Sequence, residues 1–321
     1  MRKLIIMLLA VILVLGAFAC GADGTPAQVP TAQPPETADT SLGAIAEDGQ
    51  GDLAYLPESI QTIISMGPAT TEILVSLGFA DRIIAIDEFS SNIPGLTEGI
   101  PQFDMMSPDA EQILALNPDV VFMPGMTVDA GGDDPFQLIR DAGISVIYIP
   151  TSDSIAGIAE DIKFFGAIMD AEYRAGEIIA EMNAEVEAFR AIGAEITGTR
   201  TVYFELSPSP WMVSLGRNTF LNEMIEIIGA ENVFAGLDSW TSISEEAVLL
   251  ANPDVILTSV NFIDDPVGEI MSRSGWAAIT AVSEGNVFFI DTDASNRPTH
   301  NIVIALREMA QAIFPEYFIP A

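Results

Sequence analysis

Side chains able to bind a metal or to transfer protons are scarce in this chain. Its 321 residues include one histidine, His300, and one cysteine, Cys20. Zinc, manganese and copper sites need several nitrogen or sulfur ligands, which two residues cannot supply. His300 begins the apolar stretch "HNIVIAL", where a helix-capping or surface role is the simpler interpretation. No intrinsic metal site is predicted.

Motifs for covalent and phosphoryl chemistry are also missing from the sequence. It contains no Gly-x-Ser-x-Gly turn and no phosphate loop of the Gly-x4-Gly-Lys-Ser/Thr type. The acid pair Asp264-Asp265 belongs to a chain with 46 acidic and 12 basic residues, in which solvated surface carboxylates are the expected state. We therefore predict that the protein is not an enzyme and has no intrinsic cofactor. A secreted α/β enzyme is kept as the alternative.

Residues suited to ligand binding are present in loops. Trp211 lies in "LSPSPWMVSLGR" and Trp240 in "AGLDSWTSIS", and flat aromatic surface in such loops suits a large, partly apolar ligand. Arg217 and Arg297 could each hold a carboxylate or phosphate by two hydrogen bonds. The alternatives are a packing role for each tryptophan and ion pairing with neighbouring acids for each arginine.

The net charge narrows the class of partner. The formal net charge of the chain is −34, whereas binding to a nucleic-acid phosphate backbone needs a basic face. A general nucleic-acid-binding function is therefore excluded. Hydrophobic residues make up 49% of the chain, enough for two domain cores.

The N-terminus has the pattern of an export signal. The basic start "MRK" precedes the apolar run "LIIMLLAVILVL", so residues 1–19 are predicted to be a signal peptide. Cys20 resembles the lipidated cysteine of bacterial lipoproteins, although Ala17 and Phe18 depart from the usual residues. Residues 20–56 are rich in Pro, Ala, Thr and Gly and predict a flexible tether. The protein is expected outside the cytoplasm on a lipid anchor, with simple secretion or an uncleaved anchor as alternatives.

The remaining chain alternates between strand and helix patterns. Apolar, β-branched runs such as "QTIISM" precede helical stretches such as "ATTEILVSLG", which indicates parallel, helix-covered sheets. An α/β fold is predicted, with Rossmann-like lobes at 57–152 and 194–321. Residues 153–193 between them contain no proline and predict one long helix, which would span roughly 55–60 Å. A break near Asp170 is compatible with the pattern.

One phrase of the sequence occurs twice. "SPDAEQILALNPDVVF" at 107–122 returns as "SISEEAVLLANPDVIL" at 242–257, a shift of 135 residues (107 to 242). Glu111 and Glu246 coincide under this shift, as does the run Asn-Pro-Asp-Val. We interpret the echo as a duplicated domain, with each glutamate at an equivalent place in its lobe.

These segments together resemble a known family. The stretches "ISMGPATTEILVSLGFADRIIAI", "LNEMIEIIGAENVFAG", "GNVFFIDTD" and the two echoed phrases, within 58–318, are similar to the substrate-binding proteins of ABC importers for iron-siderophores, haem and cobalamin. The resemblance implies two α/β lobes bridged by one long helix. It also implies that Glu111 and Glu246 pair with arginines of a dimeric permease. The alternative is that each glutamate only serves its helix N-terminus.

The resemblance also implies a cleft between the lobes. A ferric siderophore or cobalamin is the expected ligand, ahead of haem, although Met105 stands where cobalamin binders have an aromatic residue. The expected partners are the permease dimer and its ATPase, with a monomeric binding protein, a membrane anchor and a largely pre-formed cleft. A signalling or adhesion module without a transport partner is the second alternative. The matching ligand positions are Pro68, Ala69, Thr70, Phe89, Met105, Trp211, Trp240 and Arg297.

Overall fold

The computed structural model describes residues 42–47, 53–125 and 136–318. The predicted signal peptide and Cys20 lie outside the described residues, as does most of the predicted tether. Among the helices within the described ranges, none combines the length and the apolar character that a bilayer crossing requires.

The body begins earlier than the sequence predicts. Strands β1 (Leu42–Glu47) and β2 (Leu53–Pro57) pair antiparallel, although they fall within the segment expected to be a flexible tether. Leu56 is 2% exposed and belongs to the main apolar core. Burial of the Leu56 side chain stabilises strand β2, although the composition of the segment predicts a flexible tether.

The N-terminal lobe, as described, is built on a parallel sheet of order β5-β4-β3-β6-β7. Its short helices begin with capping residues such as Asp109, whose carboxylate accepts a hydrogen bond from the Gln112 amide. The elements are β3 Ile63–Ser65, α1 Pro68–Ser76, β4 Ile83–Asp87, β5 Gln102–Phe103, α2 Ala110–Leu116, β6 Val120–Pro124, α3 Gln137–Asp141 and β7 Ser145–Ile149.

The C-terminal lobe has a second parallel sheet, of order β10-β8-β12-β13, and a separate antiparallel pair, β9 with β11. The two parallel sheets confirm the predicted two-lobed α/β fold. The elements are β8 Thr201–Glu205, β9 Val213–Leu215, α6 Phe220–Ile227, β10 Glu231–Asn232, β11 Trp240–Ser242, α7 Glu245–Ala251, β12 Val255–Thr258, α8 Pro266–Ser272, α9 Thr280–Glu284, β13 Val287–Phe289, α10 Thr292–Asn296 and α11 Ile302–Ile313. Two further helices, α4 and α5, connect the lobes.

The connection is helical but is not one continuous helix. It consists of α4 (Ile155–Ile168) and α5 (Glu172–Gly193), separated at Asp170, whose φ of 55° is left-handed. The two helices approach closely at the break, where a Cβ added to Gly166 would lie 2.5 Å from the Ala175 Cβ. The missing side chain at Gly166 lets the chain turn there, so the length of roughly 55–60 Å expected for a straight helix does not apply.

The echoed phrases fold into equivalent units. Helices α2 and α7 each have seven residues and end on asparagines with left-handed φ, 47° at Asn117 and 46° at Asn252. An aspartate two residues after each asparagine accepts hydrogen bonds from residues at or just before the start of the neighbouring strand. Asp119 accepts them from the amides of Gln61 and Thr62, and Asp254 accepts them from the amide and hydroxyl of Thr201. Each acid therefore ties its strand to the preceding neighbour in the sheet.

The strands bury both faces, as parallel sheets with helices on each side do. Successive residues alternate between cores: Ile63 belongs to the shared core and Ile64 to an outer one. The shared core contains side chains from both sheets and from α4 and α5, and the rings of Phe122 and Phe165 meet edge to face at 5.1 Å. Helices α2 and α7 instead pack on the two outer cores through Ile113 and Val248.

Candidate functional site

Two adjoining cavities lie where residues that follow the strands of the N-terminal lobe meet the segment after β13. We call them the apolar cavity, of about 150 Å³, and the polar cavity, of about 450 Å³; Pro68, Asn296 and Arg297 line both. The apolar cavity is further lined by Gly67, Ala69, Thr70, Ile73, Met105, Pro124, Ile149, Pro150, Thr151, Asp161 and Pro298. The polar cavity is further lined by Glu88, Phe89, Ser91, Asn92, Asn261, Thr292 and Asp293.

The start of α1 forms one wall of the apolar cavity. Pro68 occupies the first turn of the helix, where its missing amide hydrogen is not needed, and Gly67 before it has an extended φ of −154°. A Cβ on Gly67 would lie 3.4 Å from the Pro124 ring, in ordinary contact. The structure thus brings Pro68, Ala69 and Thr70 together with Met105 on one cavity. Their role in ligand binding stays a prediction.

Phe89 is held at the polar cavity by a buried polar network. Asp87 is fully buried; its Oδ1 accepts a hydrogen bond from the Phe89 amide at 2.8 Å and its Oδ2 accepts one from the Ser90 hydroxyl. Burial raises the pKa of Asp87, and these two hydrogen bonds lower it in part. The Phe89 ring is 57% exposed beside the cavity. The network fixes the backbone at Phe89 and thereby positions an exposed aromatic surface beside the cavity.

Arg297 joins the lobes. Its Nη2 donates to the Phe89 carbonyl at 3.1 Å and to Asn92 Oδ1 at 2.8 Å, and lies 2.9 Å from Asp293 Oδ1. The guanidinium is buried, at 9% side-chain exposure. The structure therefore shows the ion-paired alternative for this arginine, across both cavities. Arg217 is paired as well, 3.6 Å from Asp238, but on the exposed surface.

The two tryptophans expected at the cleft line neither of these cavities. Trp211 is 80% exposed in the segment between β8 and β9. Trp240 begins β11, pairs with Leu215 of β9, and meets the ring of Phe220 edge to face at 5.8 Å. Trp240 is 39% exposed, so it combines a packing contact with an open face. The C-terminal lobe thus offers aromatic surface apart from the two cavities.

Two residues near the cavities were not found from the sequence. Asp161 lines the apolar cavity from the middle of α4, yet "AEDIK" reads as the solvated side of a helix. Phe262 is 70% exposed next to Asn261, which lines the polar cavity. A one-dimensional pattern shows helical spacing but not which side of a helix faces a cavity, so no signal distinguished Asp161.

Glu111 and Glu246 are both exposed and are the second residues of α2 and α7. A hydrogen bond from its own backbone amide and one from the Ser244 hydroxyl lower the pKa of Glu246. The carboxylate is therefore ionised at neutral pH and available to a cationic partner. Docking on a permease stays a prediction for both residues.

His300 is half-buried between the lobes rather than on the surface. Its Nε2 lies 3.2 Å from the Ser76 hydroxyl, whereas Nδ1 is buried and has no protein partner among the described residues. Burial lowers the pKa of His300, favouring the neutral ring. Within the described ranges, no group of three or more His, Cys, Asp or Glu side chains is placed to hold a metal ion.

Comparison with known proteins confirms the resemblance read from the sequence. The periplasmic binding protein family matches residues 63–294. An uncharacterized ABC transporter substrate-binding lipoprotein of Bacillus subtilis is 26% identical over 308 residues, covering 95% of this chain and 96% of its own. A vitamin B12-binding protein of Vibrio campbellii is 28% identical, covering 81% and 92%. The structure of a periplasmic heme-binding protein from Roseiflexus is similar at a TM-score of 0.68 and 25% identity, covering 80% and 99%.

Proposed function

The chain belongs to the periplasmic binding protein family, and from this premise we propose that it captures a metal chelate between its lobes and delivers it to an ABC permease. The observation that carries the proposal is the pair of adjoining cavities at the junction of two α/β lobes, with the exposed ring of Phe89 beside them. A ligand larger than either cavity would cover both and extend over the aromatic surface.

Cobalamin and ferric siderophores are the proposed ligands, with haem behind them. The curated relatives include vitamin B12-binding proteins, and the similar structures include heme-binding ones. Exposed aromatic rings at Phe89, Trp211 and Phe262 supply apolar surface for a macrocycle or a large chelate. Arg297 would act by holding the lobes in register rather than as a free cation, because its Nη2 is engaged by protein acceptors.

Delivery would use the two equivalent glutamates. Glu111 and Glu246 lie on helices that pack on the outer cores of separate sheets, one in each lobe. A permease dimer with twofold symmetry presents the same basic site twice, and one carboxylate per lobe matches that arrangement. The shared core through α4 and α5 supports a binding protein whose lobes move little on closure.

Attachment to the membrane is proposed through Cys20. The family acts outside the cytoplasm, and the B. subtilis relative is named a lipoprotein. A lipid on Cys20 would keep the body near the permease and raise the effective concentration of each for the other.

The proposal is tested by offering chelates to the purified protein. We expect native mass spectrometry and visible absorbance to reveal a 1:1 complex with cyanocobalamin or with a ferric siderophore, and weaker retention of haemin. Absence of all three complexes would contradict the proposal. Turnover of a bound chelate, followed by chromatography, would favour an enzyme instead.

A further inference from the structure

The apolar cavity contains a carboxylate that the proposed function leaves without a role. Asp161 lines this cavity from the middle of α4, and the Ser152 hydroxyl donates a hydrogen bond to its Oδ2 at 2.5 Å. Within the part of the chain that the structure describes, no protein donor reaches Oδ1. Burial raises the pKa of Asp161 to about 6, and the Ser152 bond lowers it in part. Asp161 is half-buried, and its Oδ1 retains lone pairs that can accept a hydrogen bond from a molecule in the cavity.

The charges around Asp161 do not neutralise it. Arg297 is the other charged residue on this cavity, and its guanidinium is paired with Asp293. Charged groups on the elements that pack around α4 also have partners of their own: Glu160 with Lys163 on α4 itself, Arg174 with Glu177 on α5, and Glu72 of α1 with Thr299. Asp161 therefore faces a mostly apolar cavity, and none of the ion pairs among the described residues compensates its charge.

We propose that Asp161 is a specificity residue that accepts a hydrogen bond from an amide, hydroxyl or ammonium group of the bound chelate and disfavours carboxylate and phosphate groups. This inference rests on the proposed function and names the ligand chemistry of the same site. An ionised carboxylate only accepts hydrogen bonds, so it matches a donor and repels an anion. The low dielectric of an apolar cavity strengthens both effects.

The size of the cavity decides which part of the ligand enters. The apolar cavity, of about 150 Å³, is the smaller of the two, so we place a side chain of the chelate in it and the macrocycle over the adjoining polar cavity and the aromatic surface. Amide side chains of a corrin ring have the required donors, as do the amide and amine groups of some siderophores. Chelates whose edges carry carboxylates, such as haem with its propionates, do not match Asp161.

The test compares Asp161→Asn with Glu160→Gln, which removes the neighbouring charge from the exposed side of the same helix. Affinities for cyanocobalamin and for ferrioxamine B are measured by calorimetry at pH 7.5 and pH 5.0. We expect the unaltered protein to lose about three- to tenfold affinity at pH 5.0, because protonation of Asp161 removes the negative charge that strengthens the hydrogen bond. The affinity of Asp161→Asn at pH 7.5 should be about tenfold lower than that of the unaltered protein, because a hydrogen bond to a neutral amide replaces one to a charged carboxylate. The affinity of this variant should not change between the two pH values. Glu160→Gln should behave like the unaltered protein.

A second measurement separates specificity from general affinity. Cobyrinic acid carries carboxylates where cyanocobalamin has amides, and we expect Asp161→Asn to bind it several-fold better than the unaltered protein does. An equal gain in Glu160→Gln would indicate an effect of net charge and contradict the inference. Equal affinities of the unaltered protein and Asp161→Asn at both pH values would overturn the inference alone. If the unaltered protein binds none of cyanocobalamin, ferrioxamine B and haemin, the proposed function is contradicted and the inference falls with it. If it binds haemin alone, the proposed function stands and the inference is contradicted.

Discussion

Glu111 and Glu246 occupy the same position in two copies of one local structure. Each is the second residue of a seven-residue helix that ends on a left-handed asparagine and leads into a strand tied by an aspartate. The two carboxylates are therefore equivalent in their place on the helix, although the residues that cap the helices differ, Asp109 before Glu111 and Ser244 before Glu246. This equivalence is the structural basis for the proposed contact with a twofold permease.

Removal of both carboxylates should uncouple transport from binding. In a Glu111→Ala, Glu246→Ala double variant, we expect uptake of labelled ligand by cells to fall at least tenfold, because each lost charge-assisted hydrogen bond weakens docking by about 1.5–3 kcal/mol. Ligand affinity in solution should stay unchanged, since both residues lie away from the cavities. Glu187→Ala, which removes an exposed acid of α5, is the matched control. Normal uptake by the double variant would exclude the docking role.

The buried ion cluster of the C-terminal lobe should be essential for stability. Arg273 donates to both oxygens of Glu205, at 2.6 and 2.8 Å, where side-chain exposure is 7% and 1%. Arg273→Met would leave the Glu205 carboxylate buried without its cation, and we expect a loss of about 3–5 kcal/mol in the free energy of unfolding. Urea denaturation measures it. Lys163→Met, from a pair that is 68% and 72% exposed, should cost less than about 1 kcal/mol. Similar losses in both variants would contradict this account.

Two glycines near the break between α4 and α5 should respond to alanine with opposite signs. A Cβ on Gly166 meets the Ala175 Cβ at 2.5 Å, so Gly166→Ala must push the helices apart and should destabilise by about 1–3 kcal/mol. A Cβ on Gly176 meets nothing within 4 Å in the interior of α5, so Gly176→Ala should stabilise by about 0.5–1 kcal/mol. Thermal and urea unfolding check both. A gain in stability for Gly166→Ala would contradict a tight contact between the two helices.

Replacement of Asp161 should change the pH dependence of stability. Its pKa is raised from 3.8 to about 6 in the folded protein, so the folded state favours the protonated form. The contribution of Asp161 to stability is therefore fully present below pH 3.8 and is lost as pH rises through 6. Asp161→Asn lacks this loss, and we expect it to be more stable than the unaltered protein by about 1–2 kcal/mol at pH 7.5. The difference should shrink towards pH 4.5, as measured by urea denaturation at both pH values. An unchanged difference across this range would contradict a raised pKa.

The opposite effects expected for Asp161→Asn on stability and on ligand affinity are typical of a binding site. Without ligand, the ionised carboxylate of Asp161 lowers the stability of the folded protein. With ligand, the same carboxylate accepts a hydrogen bond and raises the affinity. Observation of both effects in one variant would link the cavity to the ligand more firmly than either alone.

Prediction from sequence succeeded where the signal is local. Alternation of β-branched runs with helical spacing predicted the two parallel sheets, and the echoed phrase predicted equivalent local structures around Glu111 and Glu246. Prediction failed around Leu56, whose segment has the composition of a flexible tether. This segment forms strand β2 because Leu56 packs in the core, a contact that composition does not reveal. The connecting segment was predicted as helical with an allowed break at Asp170, but the tight contact of Gly166 with Ala175 could not be read from spacing.

The amino-acid sequence by itself determined the alternation of strands and helices and the equivalence of Glu111 and Glu246, because hydrophobic periodicity and capping residues act within a few positions of one another. The class of protein followed from the resemblance of several segments to a known family. Only the tertiary structure decided that Arg297 is tied to Asn92 and Asp293, that Trp211 and Trp240 lie apart from the two cavities, and that Asp161 lines one of them. Which side chains meet across the lobes depends on how the sheets pack against α4 and α5. That packing brings together residues separated by more than a hundred positions, and no local pattern encodes their distances.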